Sequence, residues 1–288
     1  MSEDNTALPA LLSRLPETLR VPDARPIGVF DSGVGGLTVL QALQRRLPNE
    51  STVYFGDLAR CPYGPRAQTE VREFTIQIGD FLAERDIKLL VVACNTATAA
   101  AFDALLGRYP FPVIGVIAPG ARAAALTTSH GRIGVIATNG TVESEAYPRA
   151  IKGELSDAFV VQQAASWLVP IIERGAIARP DVARELLPHM EEFRRSGIDT
   201  LILGCTHFPL VEDIFRAEVG PGIEVIDSAV TTALEVQAEL WERGLLSTGP
   251  AKSRFLVTGP AEAFAETAQA MFRSSLPIES VDLASSVR

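Results

Sequence analysis

The stretch Leu89-Leu-Val-Val-Ala-Cys94-Asn-Thr-Ala-Thr-Ala-Ala-Ala decides the fold. Its first four residues are all apolar, and two are β-branched, which is typical of a strand buried on both faces of a parallel sheet. Small polar residues follow and lead into an alanine-rich run that favours a helix. Cys94 is therefore predicted at the carboxyl end of a buried strand, where open α/β sheets place their ligands.

Later in the chain the same pattern returns in Thr200-Leu-Ile-Leu-Gly-Cys-Thr-His-Phe, where Cys205 stands in the position of Cys94. A second pair of stretches matches as well, because Ile27-Gly-Val-Phe-Asp-Ser resembles Ile133-Gly-Val-Ile-Ala-Thr. The members of both pairs are separated by nearly the same number of residues. The sequence therefore predicts an internal duplication with two domains that face each other across a cleft.

We expect an α/β fold of two pseudo-symmetric domains, each with a mainly parallel sheet flanked by helices, and an active site in the cleft between them. Residues 26–118 and 227–288 are predicted to form domain 1, because the last strands and helices have no counterpart in the second half. Residues 119–226 are predicted to form domain 2, since Pro119-Gly120 is typical of a domain crossing. Residues 1–25 are predicted to be a surface extension.

The composition limits the class of protein. A chain of 288 residues with 47% hydrophobic content can form a large core. The formal net charge of −9 makes nucleic acid or an anionic membrane an unexpected partner. No apolar run approaches the roughly 18 residues of a membrane span, and the acidic start Met1-Ser-Glu-Asp does not resemble a secretory signal. Three cysteines without a short-spaced framework indicate free thiols, and we expect a cytoplasmic protein.

A glycine-rich turn follows the first predicted strand. The run Gly33-Val-Gly-Gly comes directly after Asp31 and Ser32, and free N–H groups at such a turn and helix start favour an anion. Its spacing is not the dinucleotide fingerprint, and it lacks the lysine of a P-loop, so a carboxylate suits it as well as a phosphate. A plain tight turn is the alternative. Tyr63, on the turn-rich loop 60–65, could likewise close a small-molecule site or belong to a structural turn.

Two cysteines at equivalent strand ends allow three chemical interpretations. A disulfide or redox pair is the first, although the chain has no Cys-x-x-Cys motif and the two sulfurs belong to different domains. A metal site is the second, although two cysteines and one histidine are few ligands. The third is acid–base chemistry on opposite faces of one substrate, in which a thiolate removes a proton and a thiol delivers one. A lone buried cysteine is usually a small hydrophobe, and we interpret Cys61 in that way.

Acid–base chemistry would require titratable neighbours. Asp31 is predicted on the strand beside that of Cys94, in domain 1, where it could orient or deprotonate the thiol. His207 is two residues from Cys205, in domain 2, and could act there in the same way. Glu173 is a third candidate. The structural alternatives are a turn aspartate, a histidine at a helix start and an exposed charge near a helix end.

Four motifs together resemble the bacterial glutamate racemases of the aspartate/glutamate racemase family. The two cysteine motifs are the most specific of the four, and the match extends in order from about residue 27 to the C-terminus. The motifs are Asp31-Ser-Gly-Val-Gly-Gly, Gly56-Asp with Pro62-Tyr-Gly, Ala93-Cys-Asn-Thr-Ala, and Gly204-Cys-Thr-His-Phe-Pro-Leu.

This resemblance implies a cofactor-independent isomerase that interconverts L- and D-glutamate and supplies D-glutamate for peptidoglycan synthesis and cell wall biogenesis. By the same resemblance, Cys94 acts on the α-proton of D-glutamate and Cys205 on that of L-glutamate. Asp31 and His207 would assist them, and Glu173 would be a further carboxylate on the Cys205 side. No cofactor and no metal is expected. The implied substrate contacts are Asp31, Ser32, Tyr63, Gly64, Asn95, Thr96, Thr141, Thr206 and His207.

Two features depart from the family's pattern. Many members have Ala-Cys-Pro where this chain has Ala164-Ala-Ser. That cysteine is not one of the catalytic pair, so the implied activity is unaffected. Residues 1–25 exceed the compact pattern, and longer N-termini occur in members that a cell-wall precursor regulates. Besides glutamate, the partners to test are therefore a cell-wall-precursor activator and a second copy of the chain in a homodimer; nucleic acid and membrane are not expected.

Three other functions compete with this interpretation. A racemase for aspartate or another acidic substrate would keep both cysteines and differ in the size of its pocket. A ligand sensor or partner-binding protein on the same scaffold would not need two matched thiols. A pyridoxal-phosphate racemase would need a Schiff-base lysine, for which the chain offers only Lys88, Lys152 and Lys252. Lys88 is predicted at the strand end away from the site.

Overall fold

The computed structural model describes residues 22–173, 179–273 and 276–283. The described strands, in chain order, are β1 Ile27–Asp31, β2 Thr52–Gly56, β3 Leu89–Val92, β4 Val113–Gly115, β5 Arg132–Ala137, β6 Phe159–Ala164, β7 Thr200–Gly204, β8 Glu224–Asp227, β9 Ser253–Val257 and β10 Ile278–Ser280. The described α-helices are α1 Leu37–Arg46, α2 Gln68–Ala83, α3 Asn95–Leu105, α4 Ile117–Thr127, α5 Asn139–Glu143, α6 Ala146–Glu154, α7 Leu168–Glu173, α8 Arg179–Arg195, α9 Glu212–Val219, α10 Ser228–Glu242 and α11 Glu262–Phe272. Within these ranges, no helix is long and apolar enough to cross a membrane.

The strands form two parallel sheets with related topology. The first sheet has the order β10-β9-β2-β1-β3-β4, and the second has the order β6-β5-β7-β8. The segment β2-β1-β3-β4 of the first sheet thus has the same strand order as the whole second sheet. This repeated order matches the internal duplication seen in the sequence and confirms the predicted α/β fold with two helix-flanked parallel sheets.

The chain reverses its winding direction between β1 and β3 in the first sheet and between β5 and β7 in the second. In the first sheet β1 pairs with β2 on one side and β3 on the other, and in the second β5 lies in the same way between β6 and β7. Crevices at the carboxyl ends of strands open at such switch points. Phe30 pairs with Val92, so Asp31, the last residue of β1, and Cys94, two residues after β3, lie at neighbouring strand ends. The prediction that the strand of Asp31 neighbours that of Cys94 is confirmed.

Helices pack their apolar sides against both faces of each sheet, which explains why the strands consist of consecutive apolar residues. In the first sheet, α1 and α10 pack on one face and α2 and α3 on the other, and the side chains of β3 are fully buried between them. In the second sheet, α7, α8 and α9 cover one face and α4 and α6 the other. Burial on both faces removes the alternation of polar and apolar residues that a half-exposed strand would show. The domain boundaries at residues 118/119 and 226/227 stay a prediction.

The segment around Pro119-Gly120 is helical. The strand β4 ends at Gly115, and Pro119-Gly120, where the domain crossing is predicted, lies inside α4. Pro119 is the third residue of this helix, where a backbone N–H has no acceptor within the helix. The missing N–H of proline therefore costs no helical hydrogen bond at this position.

Lys88 has a structural role at the amino end of β3. Its ammonium group forms an ion pair with Glu50 at 2.5 Å and donates to the backbone carbonyls of Asp23 and Leu245. Its side chain is fully buried, and its charge is compensated by one carboxylate and two hydrogen bonds to backbone carbonyls. The predicted position of Lys88, at the opposite end of the strand from Cys94, is confirmed.

Candidate active site

A cavity of about 290 Å³ lies where the carboxyl ends of the central strands of both sheets meet. Residues from both halves of the chain line it, and the two cysteines Cys94 and Cys205 are among them. The predicted site residues that line it are Ser32, Tyr63, Gly64, Cys94, Asn95, Thr96, Cys205, Thr206 and His207. Other lining residues, which the sequence did not predict, are Cys61, Pro62, Pro65, Thr138, Ser166, Trp167, Val169 and Pro170.

The remaining predicted residues each lie one hydrogen bond behind a residue that lines the cavity. The carboxylate of Asp31 accepts from the Thr206 hydroxyl at 3.2 Å. Glu173, at the end of α7, is 3.0 Å from Nε2 of His207. The third, Thr141, is 3.0 Å from the hydroxyl of Thr138, with both oxygens buried. These three residues are therefore placed to orient lining groups.

Cys94 lies at the N-terminus of α3 and is only 5% exposed. Its sulfur is 3.7 Å from the Ser32 hydroxyl oxygen. Burial and, after it, the charge of Asp31 raise the pKa of Cys94 to about 12, against the opposing hydrogen bonds of the Ala97 N–H and Ser32. Cys94 is therefore a neutral thiol at neutral pH in the empty cavity.

Asp31 connects the two halves of the site. Its side chain is fully buried, and one carboxylate oxygen accepts the Gly33 N–H at 2.8 Å while the other accepts the Thr206 hydroxyl. In both hydrogen bonds the carboxylate is the acceptor, because it has no hydrogen to donate. The glycine-rich turn permits this approach, because a Cβ at Gly35 would lie 2.4 Å from Oγ1 of Thr206 and 2.5 Å from Nδ1 of His207. The anion site expected at the N–H groups of this turn stays a prediction.

The thiol of Cys205 is the first of three side chains that contact one another in series. Cys205 follows β7 and is 5% exposed, and its sulfur is 3.9 Å from Nδ1 of His207. Nε2 of the same imidazole lies against Glu173. Although burial would lower it, the interactions with Cys205 and Glu173 raise the pKa of His207 to about 10. At neutral pH the imidazole is cationic, so it can donate to the sulfur and to the carboxylate at once.

Tyr63 forms part of the cavity wall, and its hydroxyl is already hydrogen-bonded within the protein. Its side chain is buried, and its phenol donates to the carboxylate of Asp57, which also accepts from Thr258 and Arg60. Burial, followed by the charge of Asp57, raises the pKa of Tyr63, so the phenol keeps its proton. Cys61 on the same loop also lines the cavity, and burial raises the pKa of its thiol. Cys61 is thus a neutral, partly buried thiol.

Direct hydrogen bonds join the two halves around the cavity. The hydroxyls of Thr96 and Thr138 are 2.9 Å apart, and the backbone N–H of Gly140 donates to the carbonyl of Gly64 at 3.1 Å. On α1, the Thr38 hydroxyl donates to the carbonyl of Thr206 at 3.1 Å. These contacts hold the two sheets close on several sides of the cavity.

Half of the lining residues that the sequence did not predict follow the end of β6. Ser166 accepts the Asn139 N–H at 2.7 Å and faces Gly64, where a Cβ would be 3.2 Å from its hydroxyl. This segment has no polar motif that repeats elsewhere in the chain. Thr138 could have been found, because its stretch aligns with that of Ser32.

Among the described residues, no group of three or more His, Cys, Asp or Glu side chains could hold a metal ion. The free thiols are Cys61, Cys94 and Cys205. Two titratable groups whose neighbours carry opposite charges can act as acid and base toward a molecule bound between them. Cys94 is a neutral thiol beside a carboxylate, and Cys205 has a cationic imidazole as its neighbour. The geometry is suited to acid–base chemistry on a small ligand.

A family model described as Asp/Glu/Hydantoin racemase matches residues 27–236. The chain belongs to this family and is therefore an enzyme of the racemase class, which confirms the resemblance found in the motifs.

Its relatives are glutamate racemases. The one from Symbiobacterium thermophilum is 46% identical over 255 residues, which cover 87% of this chain and 92% of that protein. A crystal structure of a Bacillus anthracis isoform has a TM-score of 0.85 at 43% identity and covers 90% of this chain and 98% of that one. The Escherichia coli protein, solved with L-glutamate and the activator UDP-MurNAc-Ala, has a TM-score of 0.74 at 27% identity, with 89% and 97% covered.

Proposed function

We propose that this enzyme is a glutamate racemase that interconverts L- and D-glutamate with two cysteines and without a cofactor. The observation that carries the proposal is the pair Cys94 and Cys205, which follow equivalent strands of the two sheets and line one cavity. A racemase must remove a proton from one face of the α-carbon and return one to the other face. Two thiols that enter a cavity from two related sheets suit that requirement.

In the direction from L to D, the Cys205 thiolate takes the α-proton and becomes a thiol. The electron pair left on the α-carbon is delocalised into the adjoining carboxylate, and the Cys94 thiol gives its proton to the opposite face. Cys94 is then the thiolate, and the reverse reaction uses the same steps in the opposite order. His207 supports the Cys205 thiolate by charge. A bound substrate ammonium group would favour the Cys94 thiolate in the same way, against burial and Asp31.

Glutamate is the substrate that the site and its relatives favour. The cavity is small, and its polar wall consists of hydroxyls and an amide that can bind carboxylates, from Ser32, Asn95, Thr96, Thr138 and Thr206. The relative from Escherichia coli was solved with L-glutamate. Aspartate is the nearest alternative, since the two differ by one methylene, which a pocket discriminates by only about 1–3 kcal/mol.

In the cell, the enzyme would supply D-glutamate for peptidoglycan synthesis in the cytoplasm. The activator found with the Escherichia coli relative is a peptidoglycan precursor. An activator of this type and a homodimer are therefore the two further partners to test for this enzyme.

The test follows the α-proton of glutamate in D2O. Purified enzyme without added cofactor should abolish the optical activity of L-glutamate while deuterium enters the α-carbon. Cys94→Ala and Cys205→Ala should each lower the racemisation rate by at least about 10³-fold, because each variant lacks one of the two acid–base groups. The matched thiol control is Cys61→Ala, which should retain racemisation.

The outcomes separate the alternatives. Exchange with aspartate but not glutamate would change the substrate and keep the mechanism. Exchange with neither, with and without the precursor, would contradict the enzyme assignment and favour a ligand sensor. Full activity in either the Cys94 or the Cys205 variant would contradict the two-cysteine mechanism.

A further inference from the structure

We propose that Tyr147 is a positioning residue that fixes the orientation of the Asn95 side-chain amide and so directs its N–H donors at a carboxylate of the substrate. This inference rests on the proposed function, because it concerns how the same cavity binds an amino acid with two carboxylates. Tyr147 belongs to the second half of the chain and Asn95 to the first, so the contact also joins the two halves.

The contact is a single buried hydrogen bond. Tyr147, in α6, is fully buried, and its phenol donates to Oδ1 of Asn95 at 2.8 Å. Asn95 is the first residue of α3, directly after Cys94, and it lines the cavity while only 2% of it is exposed. Tyr147 therefore acts on a group adjacent to one of the two proposed acid–base residues without lining the cavity itself.

The other end of the same amide has no partner. Nδ2 of Asn95 is buried and makes no hydrogen bond within the described parts of the chain. A buried amide donor without an acceptor is rare in folded proteins and destabilises the folded state. Since Asn95 lines the cavity, a carboxylate placed there would supply the acceptor that the folded chain lacks.

The two ends of an amide have similar shapes, so hydrogen bonds decide which end faces which neighbour. A phenol that donates can pair only with the oxygen, which leaves the NH2 group for the ligand. Burial raises the pKa of Tyr147, so the phenol stays a donor across the physiological range.

The chain makes room for this tyrosine next to the second thiol. Gly204, which immediately precedes Cys205, lies against the ring of Tyr147. A Cβ at that position would be 3.0 Å from Cε2 of Tyr147 and 2.9 Å from the Cβ of Ala137. A glycine in the Gly-Cys-Thr-His motif therefore allows the ring to pack beside β7 and reach across to Asn95.

The first test is the steady-state kinetics of Tyr147→Phe with both enantiomers of glutamate. The variant keeps the ring but removes the donor, so the amide can turn. We expect KM to rise about tenfold while kcat changes by less than about twofold, because the carboxylate contact is the same in the ground state and the transition state. A purely structural role would lower the melting temperature without this separation of KM from kcat.

The matched control is Tyr109→Phe. Tyr109 also donates its hydroxyl to a side chain, Asp80, at 2.9 Å, but it lies outside the cavity. This control should lose some stability and keep the KM of the wild type. An unchanged KM in Tyr147→Phe, or an equal rise in both variants, would overturn the inference.

A double-mutant comparison tests whether Tyr147 acts through Asn95. Asn95→Ala should raise KM, and Asn95→Ala/Tyr147→Phe should have the same KM within about twofold, since the tyrosine no longer has an amide to orient. A further large rise in the double variant would contradict the inference. The double variant leaves neither partner unpaired, so it remains informative if Tyr147→Phe alone does not fold.

The activity of the wild type distinguishes a failure of the proposed function from a failure of the inference about Tyr147. A wild type that neither racemises nor exchanges glutamate would overturn the proposed function and this inference with it. An active wild type with an unaltered Tyr147→Phe variant would overturn only the role of Tyr147.

Discussion

The cysteines Cys94 and Cys205 of the cavity differ in the charge of their neighbours. Cys94 lies near the carboxylate of Asp31, whereas Cys205 is 3.9 Å from an imidazole that is itself bound to Glu173. A pair of titratable groups in contrasting environments is the arrangement by which enzymes assign acid and base roles. This contrast in charge is consistent with the proposal that the two thiols take complementary acid and base roles.

His207→Asn should lower kcat/KM by about 10²-fold, because it removes the cation beside Cys205. The loss must be equal for L- and D-glutamate, since the two enantiomers have the same free energy and their kcat/KM values are bound by an equilibrium constant of one. Only kcat and KM taken separately can become unequal. Polarimetry in both directions checks this, with Glu173→Gln expected to show a smaller loss. A variant with wild-type kcat/KM would contradict the role of His207.

The same histidine should make folding stability depend on pH. Its pKa is about 10 in the folded protein and about 6.5 in an unfolded chain. The folded state then binds more protons between these values, so the stabilisation is complete below about pH 6.5 and is lost as the pH rises through 10. Thermal unfolding of the wild type and His207→Asn at pH 6, 8 and 10 should show a difference in melting temperature that shrinks with pH. A difference that grows with pH would contradict the assignment.

At the scale of elements, the loop after β2 is held by one buried carboxylate. Asp57 is fully buried and accepts from Tyr63, Thr258 and the guanidinium of Arg60. It thereby ties the cavity wall to the strand β9, which comes from the far end of the chain. The wall depends on a long-range contact that no local pattern indicates.

Asp57→Asn should destabilise the protein by about 1–3 kcal/mol, because the amide replaces one acceptor by a donor and leaves a buried group unpaired. The KM for glutamate should rise as Tyr63 loses its anchor. Chemical denaturation and steady-state kinetics measure the two effects. Asp80→Asn is the matched control, since Asp80 pairs with Arg108 at the surface and such pairs contribute less than about 1 kcal/mol. Equal effects in both variants would contradict a special role for Asp57.

Much of the fold follows from local sequence patterns, whereas most of the predicted residues of the cavity wall rest on the resemblance to a known family. Apolar strands that end in polar residues indicated β1, β3, β5 and β7, and the repeat between them indicated a cleft. The wall at Ser166–Pro170 could not be predicted, because it follows an edge strand whose position depends on the packing of β6 against β5. The helical position of Pro119-Gly120 could not be predicted either, because composition does not reveal that the proline falls in the first turn of a helix.

At the scale of the whole molecule, the cavity is built by both sheets, so a ligand inside it should stabilise the two halves together. The lining residues follow β1, β2 and β3 of the first sheet and β5, β6 and β7 of the second, and hydrogen bonds such as that between Gly140 and Gly64 join the halves beside it. A molecule bound there interacts with the assembled cavity and not with an unfolded chain. Binding therefore shifts unfolding by mass action.

D-glutamate should raise the melting temperature of Cys205→Ala, which binds substrate without turning it over. At a concentration of 100 Kd the stabilisation should be about 2.7 kcal/mol. D-aspartate at the same concentration should stabilise less, because its second carboxylate is one methylene short of the donors that reach glutamate. Scanning calorimetry of this variant with each amino acid makes the comparison without interference from racemisation. Equal or greater stabilisation by aspartate would contradict the substrate assignment, and no stabilisation by either would mean that the cavity between the sheets is not the binding site.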